Sequence, residues 1–318
     1  MNHPQIRVAV AATTTQRVTV NLFGFLNCEK PPGMTSRDVV NVVSRRLGKK
    51  TKVGHAGTLD PLAEGVLVLG VGPAVRLIPY LQQQPKRYRA IFRLGQSSES
   101  GDLEGPITDH PDLPHPSEAS LQQAARSLVG TIEQTPSAYS AIWVDGQRAY
   151  KRARAGEVVE MPTRQVQIDS LQIDRYEFPE FEFETVCGSG TYIRSLGIDL
   201  ARAAGSVAVM SYLKRLAVGP HEAQNSISLE RLREDDLSIM LAPCAPSIAH
   251  LRQIKVDPDQ CRRLGHGLCI DGSPLPDQET SHQEAAAVTC DGQLRAILKW
   301  KDEAWFPRKV FPIDEGQL

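Results

Sequence analysis

The chain has 318 residues, 41% hydrophobic and 23% charged, with a formal net charge of −1. That is the composition of an ordinary globular protein, and no run of about 18 apolar residues exists to form a membrane-spanning helix. The length allows one large domain or two smaller ones, and a near-neutral chain can bind a polyanion only through locally clustered Lys and Arg.

In chain order, residues 1–22 contain Arg7, Arg17, several threonines and no acid. They read as a disordered N-terminal extension, since their apolar run, residues 8–12, is too short for a secretory signal. Residues 23–28 read as a strand, broken by Lys30-Pro31-Pro32-Gly33. Thr35 or Ser36 then caps a helix to Leu47, with Asp38 completing a box-like pattern and Gly48 ending it. Val39, Val40, Val43 and Leu47 share one face of that helix. Arg45, Arg46, Lys49, Lys50 and Lys52 crowd its opposite face and exit, as a solvated end or a phosphate contact.

Val66-Leu67-Val68-Leu69 reads as a buried strand, residues 74–84 as a short amphipathic helix and 88–94 as an alternating strand. Residues 105–116, rich in Pro and acid, read as a surface insertion, and 117–128 as a helix. Asp145-Gly146 is a hairpin signal ahead of a basic helical segment. Residues 166–176 and 181–186 read as strands, 191–204 as a helix and 207–218 as a return to the sheet. Strands and helices mixed without a βαβ rhythm predict an α+β fold around a mixed or antiparallel sheet. Residues 243–249 read as a linker between a main domain, 23–245, and a small β-rich domain, 250–318, with turns at Asp271-Gly272 and Asp291-Gly292.

The six cysteines form no C-x-x-C pair, which argues against zinc and for reduced thiols in a cytoplasm. The segment Gly54-His55-Ala56-Gly57-Thr58-Leu59-Asp60-Pro61 is the strongest candidate for chemistry. Its glycines permit close backbone approach, and Pro61 pushes Asp60 toward an extended conformation. A carboxylate is thus presented at the rim of a core strand, although an isolated Asp-Pro is more often a plain turn.

Five segments, in order, resemble the TruB family of tRNA pseudouridine synthases. They are Lys30 to Ser36; the run from Gly54 to Leu67; Lys86-Arg87-Tyr88-Arg89; Pro136 to Ala141 with Gly146 to Tyr150; and Gly190 to Arg194 with Tyr212 to Leu216 downstream. The resemblance implies a pseudouridine-synthase fold with a PUA-like RNA-binding domain at the C-terminus. It implies a tRNA substrate, uridine 55 of the T-loop, and no metal or cofactor; monomer is the family expectation. Asp60 would be the nucleophile, Arg194 its charge partner, and Tyr88 the ring that stacks on the flipped uracil and assists removal of the C5 proton. Tyr192 and Leu213 would wall the pocket. His55 would fill the space left by flipped nucleotides, and Lys30 would brace the loop or contact substrate. Attack at the base or at the ribose remains open.

Basic residues at 45–52, 86–89, 148–154 and 214–215 are expected on RNA phosphates, with the acids of 99–104 and 230–236 placed elsewhere. Two departures from the family pattern stand out: Trp143 and Ser189 occupy positions where lysine is usual. A non-catalytic tRNA chaperone, a hydrolase using Asp60, and a guide-RNA-dependent relative are the competing readings. The hydrolase needs a second carboxylate or a metal near Asp60, for which the sequence offers no clear candidate.

Overall fold

The computed structural model describes residues 22–140, 142–144, 146–275 and 283–312. The expectations for residues 1–21 and for Asp145 lie outside these. The elements of the main body are β1 (Gly24–Lys30), α1 (Ser36–Leu47), β2 (Val53–His55), β3 (Glu64–Val71), β4 (Lys86–Leu94), α2 (Glu118–Ser127), β5 (Gly130–Gln134), β6 (Arg164–Glu177), β7 (Glu180–Cys187), α3 (Ile193–Ala203) and β8 (Ala208–Val218). A second sheet follows, from β9 (Arg252–Lys255), α4 (Pro258–Gly265), β10 (Glu284–Val288), β11 (Leu294–Lys301) and β12 (Ala304–Val310).

The main sheet runs β1-β3-β8-β4-β7-β6-β5, with β2 also paired to β3. The β3–β8 pair is parallel, and the other neighbours on this path are antiparallel. The expected α+β fold on a mixed sheet is therefore what forms. Strand β4 alternates strictly, with Lys86, Tyr88, Ala90, Phe92 and Leu94 buried. Its other face sets Arg87, Arg89 and Arg93 against Glu222, Glu182 and Glu180. On the inner face Phe92 stacks between Phe181 and Phe183, with centroids 5.5 and 5.6 Å away. Helices α2 and α3 cover this face with Leu121, Ala124, Ala125, Leu196 and Leu200.

Strand β3 is apolar from Gly65 to Val71 because both faces are covered, and β1 is buried except at Glu29. Helix α1 packs Val39, Val40 and Val43 onto Leu67 and Leu69. Its start is fixed by the capping box predicted for it, Thr35 at the N-cap and Asp38 reaching back. On the other face Phe25, Val66 and Val68 share one apolar cluster with Ala286, Val288, Ile297 and Phe311 of the second sheet. The segment read as a linker differs from expectation: Cys244–Ser247 is a short helix, and Cys244, Ala245 and Ile248 are buried in that same cluster. Its Ala, Ile and Cys content outweighs the prolines that marked it as a linker. Asp291-Gly292 does close the β10–β11 hairpin. Asp271-Gly272 instead follows an isolated bridge between Ile270 and Trp305 and turns no hairpin among the described residues.

Helix α3 lies flat on the sheet at Gly197, where an added Cβ would stand 2.1 Å from Phe92 Cζ. Overpacking of this kind costs ~1–3 kcal/mol. Gly197→Ala should therefore lose roughly that much in a urea titration, despite the better helix propensity of alanine.

Candidate active site

The loop between β2 and β3 carries Asp60 and is tied down from four sides, mostly through its carbonyls. Ser36 Oγ accepts from Leu59 N–H (2.9 Å) and donates to Leu59 C=O (3.2 Å). Gly33 N–H donates to Pro61 C=O at 2.8 Å. Lys30, fully buried, donates from Nζ to the carbonyls of Pro31 (3.0 Å), Pro61 (3.2 Å) and Ala63 (2.5 Å). Arg215, 2% exposed, donates to Val66 C=O (2.7 Å) and Gly57 C=O (3.1 Å). Gly65 makes this approach possible: at φ +99°, a Cβ there would lie 2.3 Å from the Arg215 carbonyl oxygen.

Arg194 reaches Asp60 from the first turn of α3. Its Nη2 donates to Asp60 Oδ2 at 3.0 Å, and its Nη1 donates to Asp102 Oδ2 and to Ser100 C=O (2.9 Å). The guanidinium is buried, Asp102 is 2% exposed, and the Asp60 side chain keeps 41% of its surface open. One oxygen-rich end of the pair is thus sealed and the other opens on a cleft. The start of α3 is itself fixed by Gln134, whose buried side-chain amide accepts from Tyr192 N–H (2.7 Å) and donates to Tyr192 C=O (3.0 Å).

Asp102 was not anticipated here, since the acids of 99–104 were expected away from the site. It lies in a turn organised by Ser98 and Ser100, with Ser100 Oγ donating to Asp102 Oδ1 at 2.6 Å and Gly101 at φ +78°. The Ser-x-Ser-Gly-Asp order was the available signal, because such residues bond their own backbone in turns.

The cleft has a volume of about 390 Å³, and Asp60, Tyr88, Tyr192, Arg194 and Leu213 all line it. His55 and Lys30 do not. His55 sits one residue before the lining, paired to Leu69 on β3, and its Nδ1 is buried without a partner among the described residues. Lys30 lies beneath the loop as its brace. Arg148 and Arg164, not singled out individually from sequence, also face the cleft. Arg164 stacks over Tyr192 with its Cζ 4.7 Å from the ring centroid.

The basic clusters behave differently from expectation. Lys86 is buried and donates to the carbonyls of Gln82 and Gln84, Arg87 and Arg89 pair with glutamates, and Lys214 pairs with Glu64 at 3.1 Å. With Arg215 these cations serve the protein's own oxygens. Arg45, Lys49, Lys50 and Lys52 remain exposed, as does Arg46, although its Nη1 donates to the Asp235 carbonyl (2.7 Å).

Burial raises the Asp60 carboxyl above its ordinary value; Arg194 pulls it down, Asp102 pushes it up and Lys30 pulls it down again. Burial likewise lowers Lys30 and Lys86 to about 8 and leaves His55 below the usual imidazole value, hence neutral near pH 7. Burial raises the Tyr88 phenol while neighbouring Arg215 opposes the rise. Such a site sets a partly exposed carboxylate beside a buried cation and an aromatic wall, a setting in which a carboxylate can act as a nucleophile. Among the described residues, no group of three or more His, Cys, Asp or Glu is placed to hold a metal ion.

A family model described as TruB family pseudouridylate synthase (N terminal domain) matches residues 45–193. The tRNA pseudouridine synthase B of Rhodopirellula baltica is 41% identical, covering 92% of this chain and 96% of that protein. That of Ruegeria pomeroyi is 36% identical, covering 93% and 97%. Among solved structures, an H/ACA RNP bound to a substrate RNA containing 2′-deoxyuridine superposes with a TM-score of 0.70 over 93% of this chain and 87% of that one; at 23% identity it speaks for the fold alone.

The Asp60–Arg194–Asp102 arrangement predicts opposite responses to its two neighbours. Followed by carboxyl-carbon NMR, the Asp60 titration should lie above the ordinary carboxylate range of about 3.9. Arg194→Gln should move it further up, by removing the stabilising cation, and Asp102→Asn should move it down, by removing the repelling anion.

Proposed function

We propose a specific reaction for this chain, which belongs to the TruB family of pseudouridylate synthases and is an isomerase: it converts one uridine in the T-loop of tRNA, position 55 in tRNA numbering, to pseudouridine, with Asp60 as the nucleophile. The observation that carries the reading is the Asp60–Arg194 ion pair at the floor of a cleft of nucleoside size. The named relatives, tRNA pseudouridine synthases B that align over nearly their whole lengths, support tRNA as the substrate.

The isomerisation breaks the N1–C1′ bond, forms a C5–C1′ bond, removes the proton from C5 and returns one to N1. Asp60 in its ionised form adds to the ring at C6 or to the ribose at C1′, and either adduct holds one fragment while the base turns. Arg194 keeps the carboxylate charged against the cost of burial. Tyr88 lies under the base as a stacking surface, and Tyr192 and Leu213 close the walls. Proton removal from C5 by Tyr88 needs the phenolate, which burial disfavours and the Arg215 charge partly restores. The uridine reaches the cleft by leaving its stack, at a cost of a few kcal/mol. His55, neutral and just outside the cleft, occupies the position vacated by flipped nucleotides. The second sheet acts as the PUA-like RNA-binding domain, and the enzyme works as a monomer in the cytoplasm.

The test is to incubate the protein with unmodified tRNA transcript and map pseudouridine by mass spectrometry. The intact chain should convert one T-loop uridine. Asp60→Asn should lose conversion by on the order of 10³-fold or more, as expected for a covalent nucleophile, while still binding the transcript. Tight binding without conversion by the intact chain would overturn the reading in favour of a chaperone or a guide-dependent enzyme.

A further inference from the structure

Trp143 is 61% exposed, whereas Trp300 and Trp305 are 9% and 1% exposed and pack edge-on in the second sheet's core, 5.2 Å apart. A single exposed apolar side chain is ordinary on a protein surface; Trp143 is set apart by its place next to cleft-lining Ile142 and by the cation held on its ring. Trp143 sits on a two-stranded hairpin, Trp143–Val144 against Gln147–Arg148, and pairs directly with Arg148. The Arg148 guanidinium lies over the indole with its Cζ 4.6 Å from the ring centroid. The hairpin is anchored where Ala149 N–H donates to Ile142 C=O (2.8 Å) and Tyr150 N–H to Ser140 C=O (3.1 Å). Ile142 and Arg148 belong to the same cleft wall system as Asp60.

We propose that Trp143 is a stacking platform for an unpaired nucleobase of the RNA strand next to the uridine held at Asp60, with Arg148 both fixing the ring and meeting the adjoining phosphate. The inference rests on the reaction proposed above and adds a positioning residue to it. Three features favour RNA as the occupant. The cleft is of nucleoside size, so the strand on either side must leave it past its walls, and Ile142 and Arg148 beside Trp143 are part of those walls. The ring is already held by a cation, the combination that single-stranded nucleic acid exploits through stacking and charge. A second such pair, Arg164 on Tyr192, lines the same cleft. A tryptophan supplies a π-face that tolerates any base.

Because the other two tryptophans are buried, Trp143 reports on itself. Titration of the Asp60→Asn protein with tRNA transcript should quench a red-shifted emission component that is missing from the same protein carrying Trp143→Phe. In steady-state conversion, Trp143→Ala should raise KM about tenfold, equivalent to ~1.4 kcal/mol, with the smaller part of the loss in kcat. Trp143→Phe should recover most of it. Trp143→Lys should bind with a steeper salt dependence, by about one phosphate contact. Intact conversion with no quench, or an unchanged KM for Trp143→Ala, would overturn the platform and leave the reaction standing. A protein dimer in RNA-free solution that Trp143→Ala dissolves would overturn it in favour of self-association. No conversion by the unsubstituted chain would remove the reaction and the platform together.

Discussion

One guanidinium holds two carboxylates, and the chemistry of the cleft depends on that imbalance. Arg194 is sealed from water and shared between Asp102, also sealed, and Asp60, which opens on the cleft. Burial does most to raise the Asp60 carboxyl; Arg194 opposes that rise, and the charge of Asp102 on the same guanidinium adds to it. Asp102 anchors the arginine from behind, through the same turn whose Ser100 carbonyl takes a further guanidinium hydrogen bond. The charge geometry therefore joins three distant stretches of chain, and no one of them shows it alone.

Much of the remaining basic inventory is spent on scaffolding. Lys30, Lys86 and Arg215 are buried and donate to backbone carbonyls around the Asp60 loop and the cleft floor. Extended loop backbone leaves such carbonyls without ladder partners, and a buried unpaired carbonyl costs as much as a lost hydrogen bond. Long cationic side chains can satisfy several carbonyls at once, which neutral residues of similar size cannot. This gives the loop rigidity without helical or sheet structure of its own. It also means that the surface meeting RNA is less basic than a count along the chain implies.

The sequence was most legible where meaning is local. The capping box at Thr35 and Asp38, the alternation of β4 and the double-sided apolar run of β3 all follow from residue order, and the Asp60 loop announces itself by its Gly and Pro frame. Legibility failed where a residue's role depends on what folds against it. Asp102 reads as one acid in an acidic surface stretch, and only the return of α3 makes it a counter-ion. Lys86 and Arg215 read as RNA contacts, since nothing in a basic residue's neighbours along the chain reveals that its tip is buried. Residues 243–249 read as a linker because proline dominates local rules, while their burial depends on a sheet formed some 40 to 60 residues later.

That late-formed sheet has a consequence for biosynthesis. Phe23, beside the first strand, stacks on Phe311 with ring planes 6° apart and centroids 5.2 Å apart. Strand β1 leaves a ribosome long before Phe311 does. Until then the apolar side formed by Phe25, Val66 and Val68 is covered only in part, by earlier residues such as Leu77 and Leu81. Domains generally fold in order as they emerge, and here the first sheet shares part of its apolar core with the second. A nascent chain stalled before β10 would present a half-covered apolar face to chaperones and proteases.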